Sequence, residues 1–297
     1  MVTERMNDLT SASASDAAAS PQPEGGADPW AHLRRYTRAR IALGRRGASL
    51  PTAALLDFGL AHAQARDAVH TALDLDALDA AAQAAGLPPS LRVHSAASDR
   101  ATYLRRPDLG RQLDAASRTL LVEAKAQACD VVFVIADGLS ARAAQTHAVP
   151  LIAQTLQRLP PGWRVGPLVL ARQARVALGD DIGALLRAAQ VVMCLGERPG
   201  LTAPDSLGLY LTHGPRPGLT DAQRNCISNV RPDGLPYAQA AHKLAWLLAG
   251  ARRLGMSGVG LKDDSEDHSE SGLSHDTSAH RVLRDEGAAG EMPSGDQ

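Results

Sequence analysis

Three short segments carry side chains able to bind or polarise a ligand, and the first two sit beside apolar runs. Ala136-Asp137-Gly138-Leu139-Ser140 leaves the most apolar stretch of the chain and enters a helical pattern. Gly138 suits a tight turn, and the unpaired N–H groups at a helix start can donate to a phosphate or an amide oxygen. The same residues equally suit a plain capped turn. Gly196-Glu197-Arg198-Pro199-Gly200 follows Val191–Leu195, so two glycines and a proline fix the backbone while an acid and a base project from a strand end. Glu197 there either accepts a ligand donor or pairs with a nearby arginine. The third segment is Asn225-Cys226-Ile227-Ser228-Asn229-Val230-Arg231-Pro232. It shows neither helical nor strand period and reads as a loop. Such side chains more often cap their own backbone than hold a ligand, and a lone cysteine is more often a small buried hydrophobe than a nucleophile.

Other chemistries find less support. Asp99-Arg100 and Arg105-Arg106-Pro107-Asp108 read as a charged loop facing solvent or a partner. The 10 histidines are scattered with no HExxH pair, and Cys129, Cys194 and Cys226 form no CxxC. Neither a disulfide framework nor a structural zinc site is expected, and a reducing cytoplasmic setting fits. The glycine fingerprint of dinucleotide binders and the phosphate-binding P-loop are both missing from the sequence. No Ser/His/Asp order stands out. The residues alone point to an α/β ligand-binding protein with an incomplete set of catalytic groups.

The elements that must position these segments follow from periodicity. Residues 1–27, rich in Ser, Ala, Pro and Gly, read as a disordered arm. Residues 28–90 read as a helical N-terminal region. Asp28-Pro29 caps a helix with Trp30, Leu33, Thr37 and Ile41 on one face and Arg34, Arg35, Arg38 and Arg40 on the other. Pro51 opens a second helix whose buried stripe is Leu55, Leu56, Leu60 and Ala63, and a third runs over Leu75–Ala85. From residue 91 the texture alternates. Strands are expected at Leu91–His94, Val131–Ala136, Leu168–Leu170 and Val191–Leu195, with helices at Leu109–Ala126, Ala141–Arg158 and Asp181–Ala189. This order predicts an α/β fold, a doubly wound, mostly parallel sheet, over 91–261. In such sheets ligands sit beyond the carboxyl ends of the strands, and all three segments qualify by position. Pro236 opens a last helix, and 262–297 reads as a disordered acidic tail.

Charge sharpens the division. The 297 residues carry a net charge of −1, yet Lys262–Gln297 holds ten acids against three bases and the first 28 residues five against one. The body between them is therefore strongly basic, with 28 of the 31 basic residues arginine, which suits an anionic or phosphate-bearing partner. Aromatic residues are only 3%, too few for a nucleic-acid stacking surface. No apolar run approaches the ~20 residues of a membrane span, and no signal-peptide pattern opens the chain.

Taken together, six segments resemble one family, the small (light) subunit of ethanolamine ammonia-lyase: Asp28–Gly47, Ser95–Arg111, Asp130–Ala141, Ala171–Gly183, Val191–Leu201 and Asn225–Leu235. They occur in order across 28–261, and the arm and tail lie outside the resemblance. It implies a Rossmann-like domain that covers adenosylcobalamin at the interface with a TIM-barrel large subunit, in a hetero-oligomer that converts ethanolamine to acetaldehyde and ammonia. It also implies cobalamin contacts at Val176, Glu197 and Cys226, with no catalytic residue on this chain and no metal ligand from it. No DxHxxG is present, so the cofactor is expected to keep its own dimethylbenzimidazole on cobalt, base-on. The setting expected is the cytoplasm, or a bacterial microcompartment within it. The rival reading is a stand-alone nucleotide-binding α/β protein.

Overall fold

The computed structural model describes residues 28–265. The chain forms two compact units, the first ending at Gln64 and the second beginning at Ala65. The predicted arm and most of the predicted tail lie outside the described residues.

In the first unit Asp28 does cap a turn, its Oδ1 accepting the Trp30 N–H at 2.9 Å, but the turn is a short 3-10 helix over Ala31–Arg35 rather than an α-helix to Ile41. Its apolar positions gain no burial: Trp30 and Tyr36 are 63% and 72% exposed. Without a surface to bury against, helical spacing alone does not hold a helix. The helix expected after Pro51 forms as α1, Thr52–His70, and the division between the units falls within it. Its stripe is not buried as expected, since Leu55, Leu56 and Leu60 are all more than half exposed.

The second unit holds the rest of α1, α2 (Leu75–Ala84), β1 (Ser90–His94), α3 (Arg100–Arg105), α4 (Ala115–Glu123), β2 (Cys129–Ala136), α5 (Ala141–Leu156), β3 (Leu168–Arg172), α6 (Leu178–Leu185), β4 (Ala188–Gly196), β5 (Leu207–His213), β6 (Arg224–Val230) and α7 (Tyr237–Leu254). Capping side chains start several helices. Asp74, Asp99, Asp114 and Ser140 each accept N–H groups from the first turn of α2, α3, α4 and α5. The helix predicted over Leu109–Ala126 is shorter because Asp114 starts α4, leaving a separate 3-10 turn at Leu109–Arg111. The one predicted at Asp181–Ala189 runs earlier, over Leu178–Leu185, and Ala188 already belongs to β4.

One six-stranded sheet has the order β1-β3-β2-β4-β5-β6. The first four strands are mutually parallel, and β5 and β6 complete it antiparallel. Every residue of β2 is buried, as a strand covered on both faces requires. Val131, Phe133 and Ile135 join a core with residues of α2, α5 and α7, while Val132, Val134 and Ala136 join another with residues of α4 and α6. The period of two thus divides one strand between two cores. Mixed α/β architecture with a mostly parallel sheet is what the sequence predicted. The segment Asn225–Val230, read from sequence as a loop, is instead most of the edge strand β6. Leu209 pairs with Ile227 and Leu207 with Val230, so two steps on β5 match three on β6. That bulge, with Asn229 at φ +61°, spaces the buried residues three apart and erases the alternation a strand should show.

Candidate functional site

Four parallel strands end on one side of the sheet, and the loops leaving them are tied together by a few polar contacts. Asp137, buried at the end of β2, accepts the N–H groups of Gln173 at 2.8 Å and Ala174 at 3.1 Å, which pins the turn after β3. Burial pushes its carboxyl above the usual range, opposed by those N–H groups and by the Arg100 guanidinium 3.8 Å away. Gly138 adopts φ +53°, and a side chain there would strike the Gly196 carbonyl oxygen and the Leu195 side chain. In return Leu139 donates its N–H to Gly196 O at 2.8 Å. Of the two readings of Ala136–Ser140, the capped turn is seen directly: Ser140 Oγ accepts the Ala143 N–H at 3.3 Å and donates to Pro204 O at 3.0 Å.

Arg100 belongs to this framework rather than to a solvent-facing loop. Its guanidinium donates to Val69 O at 2.6 Å, Gly138 O at 2.8 Å and Gln173 Oε1 at 3.3 Å. Its neighbour Asp99 caps α3 through the Thr102 N–H at 2.9 Å. The pair Arg106–Asp108, by contrast, is exposed as expected. Arg100 also lies 4.7 Å from the centroid of the Tyr103 ring, and Arg175 lies 4.4 Å from it. Tyr103 is fully buried between them and donates its hydroxyl to Ala174 O at 3.1 Å. Burial raises its phenol to about 12.

Two adjoining clefts open above this framework. One, of about 480 Å³, is lined by Tyr103, Leu139, Arg175, Val176, Leu195, Gly196, Glu197, Arg198 and Tyr210. The other, of about 390 Å³, is lined by Arg111, Arg175, Val176, Ala177, Leu219, Thr220 and Asp221. Arg175 and Val176 are common to both.

Val176 and Glu197, singled out in the sequence, thus line one cleft. Glu197 Oε2 accepts the Ser206 hydroxyl and the Asn229 N–H at 3.2 Å, while among the described residues no donor reaches Oε1. Gly208 lets this side chain lie across β5, since a Cβ there would sit 2.9 Å from Oε1. Cys226 does not line the cleft. It is exposed on β6, opposite Tyr210 of β5, with its Sγ 3.3 Å from Ser228 Oγ. Tyr210 therefore bridges Cys226 to the Glu197 cleft. Burial, together with Cys226 and Glu197, raises its phenol far above the ordinary value. Arg100, Tyr103 and Arg175 lie within segments already singled out but were given no site role there, and Tyr210 carried no recognisable signal. Among the described residues no cluster of His, Cys, Asp or Glu could hold a metal ion, and no helix is long and apolar enough to cross a membrane.

Comparison with known proteins adds an independent line. Residues 27–262 match the model of the family described as ethanolamine ammonia-lyase light chain (EutC). The ethanolamine ammonia-lyase small subunit of Azotobacter vinelandii is 57% identical over 243 residues, covering 80% of this chain and 90% of its own length. That of Ralstonia nicotianae is 56% identical over the same span, and that of Pseudomonas aeruginosa PAO1 is 52% identical over 268 residues, 98% of its length. With a two-cleft site at the carboxyl end of its sheet and a match through nearly all the described residues, the chain belongs to the ethanolamine ammonia-lyase light-chain family.

Proposed function

We propose that this chain is the small subunit of an adenosylcobalamin-dependent ethanolamine ammonia-lyase, completing the cofactor site where it meets a TIM-barrel large subunit. Family membership and the relatives' names support the subunit assignment. Cofactor binding is supported by one observation above the others: Glu197, which lines an open cleft, is held by Ser206 and Asn229 through one carboxylate oxygen, and among the described residues no donor reaches the other.

That donor set fits a corrinoid. The corrin rim carries neutral amides, and a carboxylate held by its neighbours accepts amide N–H groups in charge-assisted hydrogen bonds. Val176 supplies an apolar wall, and Cys226 on the edge strand extends the surface without thiolate chemistry. Gly138 and Gly196 leave no room for side chains between the two loops, which holds the Glu197 loop against the turn after β2. When bound, adenosylcobalamin supplies radicals by homolysis of its Co–C bond. This chain's residues bind and orient the cofactor and exclude water; the substrate is held by the large subunit. The sequence has no DxHxxG histidine that would replace the lower base, so the cofactor would be held base-on. Helices on both faces of the parallel strands support a doubly wound, Rossmann-like domain. The enzyme is placed in the cytoplasm, or in a microcompartment there.

Purified together with its large subunit, the chain should release ammonia from ethanolamine only when adenosylcobalamin is added. Activity of this chain alone, or activity of the pair without the cofactor, overturns the reading. A stand-alone nucleotide-binding protein would instead bind a nucleotide with no partner present.

A further inference from the structure

The cleft on the far side of Val176 has a charge arrangement that the Glu197 side does not explain. Several nearby acids are held by bases, two of them by the same arginine. Asp180 holds Arg224 through two contacts of 2.7 Å, Asp181 holds Arg118 at 2.7 Å, and Asp108 holds Arg106 at 2.7 Å. Asp221, which lines the cleft, lies 3.6 Å from Arg224 Nε. Arg111 and Arg175 have no acid partner among the described residues. Arg111 is exposed, and its guanidinium makes no hydrogen bond within the described protein. Arg175 makes one, to Tyr103 O at 3.3 Å, and its Nε is buried with no partner.

Arg175 is also held in place in advance. Its backbone N–H donates to Gly110 O at 2.8 Å, and a Cβ on Gly110 would sit 2.8 Å from Arg175 Cγ. Its guanidinium is stacked on the Tyr103 ring. A cation fixed by packing, beside a second cation free to swing, is an arrangement for one compact anion. At neutral pH the only anionic group of a base-on cobalamin is the phosphodiester of its nucleotide loop. We propose that Arg111 and Arg175 bind that phosphodiester, so that the cofactor spans both clefts, its corrin amides toward Glu197 and its nucleotide loop toward Arg111. The assignment rests on the cobalamin reading above and deepens it.

The test compares two corrinoids on the purified two-subunit complex, by equilibrium dialysis read by absorbance. Cyanocobalamin carries the nucleotide loop; dicyanocobinamide lacks the loop and its phosphodiester. Arg111→Met should weaken cyanocobalamin about tenfold or more, the loss of one charge-assisted contact, and leave dicyanocobinamide unchanged. Arg175→Lys, which keeps a cation but loses the planar fork, should show the same selectivity. The cyanocobalamin affinity of the unmodified complex should also fall with added salt more steeply than the dicyanocobinamide affinity. Equal losses for both corrinoids in both variants overturn the assignment. So does a cyanocobalamin-selective loss in Arg198→Met that Arg111→Met does not share, which would move the phosphate to the other cleft. If the unmodified complex binds neither corrinoid, the cobalamin reading itself has failed.

Discussion

Gly138 and Gly196 approach so closely that neither has space for a side chain: a Cβ on Gly138 would strike the Gly196 carbonyl oxygen, and one on Gly196 would strike the Ser140 carbonyl oxygen. The loop after β2 and the loop that carries Glu197 are therefore one mechanical unit, and it holds only while both positions remain glycine. Gly138→Ala adds left-handed backbone strain to this collision, so its cost should reach about 2 kcal/mol or more. Chemical denaturation of the purified chain checks the loss. An unchanged midpoint would mean that the two loops are free to separate.

Glu197→Gln keeps the shape of the side chain but lowers its strength as an acceptor. Corrinoid affinity of the two-subunit complex should fall several-fold while assembly, followed by gel filtration, is unaffected. Loss of assembly would instead assign Glu197 to the subunit interface or to folding. Ser206→Ala, which removes the hydroxyl that holds the carboxylate, should give a smaller loss in the same direction.

Arg224 and Asp180 are both 3% exposed at their side chains and joined by two contacts of 2.7 Å. Breaking such a pair from one side strands a charge in the core, at a cost of about 3–5 kcal/mol. Arg224→Met alone should therefore be poorly folded, and adding Asp180→Leu should recover much of the loss. A double variant no better than the single one would show that the other partners of Arg224, Thr212 and Leu219 O, carry the effect.

His147 offers a pH signature. It is buried beneath the β4–β5 connection, with Nδ1 2.6 Å from the Tyr237 hydroxyl and Nε2 3.7 Å from Asp205 Oδ2. Burial holds its pKa below the ordinary 6.5, with the Asp205 carboxylate opposing and Arg231 reinforcing the shift. A lowered histidine pKa means that the folded state binds the proton less tightly than the unfolded chain. The resulting stabilisation is complete above about 6.5 and is lost as pH falls through the folded value. His213, also lowered by burial, adds a slope of the same sign. Denaturation midpoints should decline below about pH 6.5, and His147→Gln should flatten part of that decline. An identical pH profile in the variant would show that other groups set it.

The parts of this fold that were legible in the sequence are those with a clean period. The all-apolar run of β2 could be placed because burial on both faces leaves no polar positions to interpret, and the other parallel strands followed from their short apolar runs between helical stretches. The stripe Leu244, Leu247, Leu248, Ala251 marked α7 because it does face the core. The edge strand β6 was hidden by its own bulge, and the Leu55, Leu56 and Leu60 stripe misled because an apolar stripe records that something is buried without saying by what. For the site, Val176 and Glu197 were reachable through motif resemblance. Arg175 and Tyr103 also lie within the resembling segments, but their roles were not legible: they depend on stacking between residues 72 positions apart, which no local pattern encodes.

The close approach of Gly138 and Gly196 has one further consequence, for how this pocket can change. Neither position can be retuned by point substitution, since every replacement there collides before it contributes a new contact. Variation in ligand preference is thereby left to the side chains that line the cleft, Val176, Arg198 and Tyr210 among them. A library built to alter corrinoid preference should be randomised at those three positions and leave both glycines untouched.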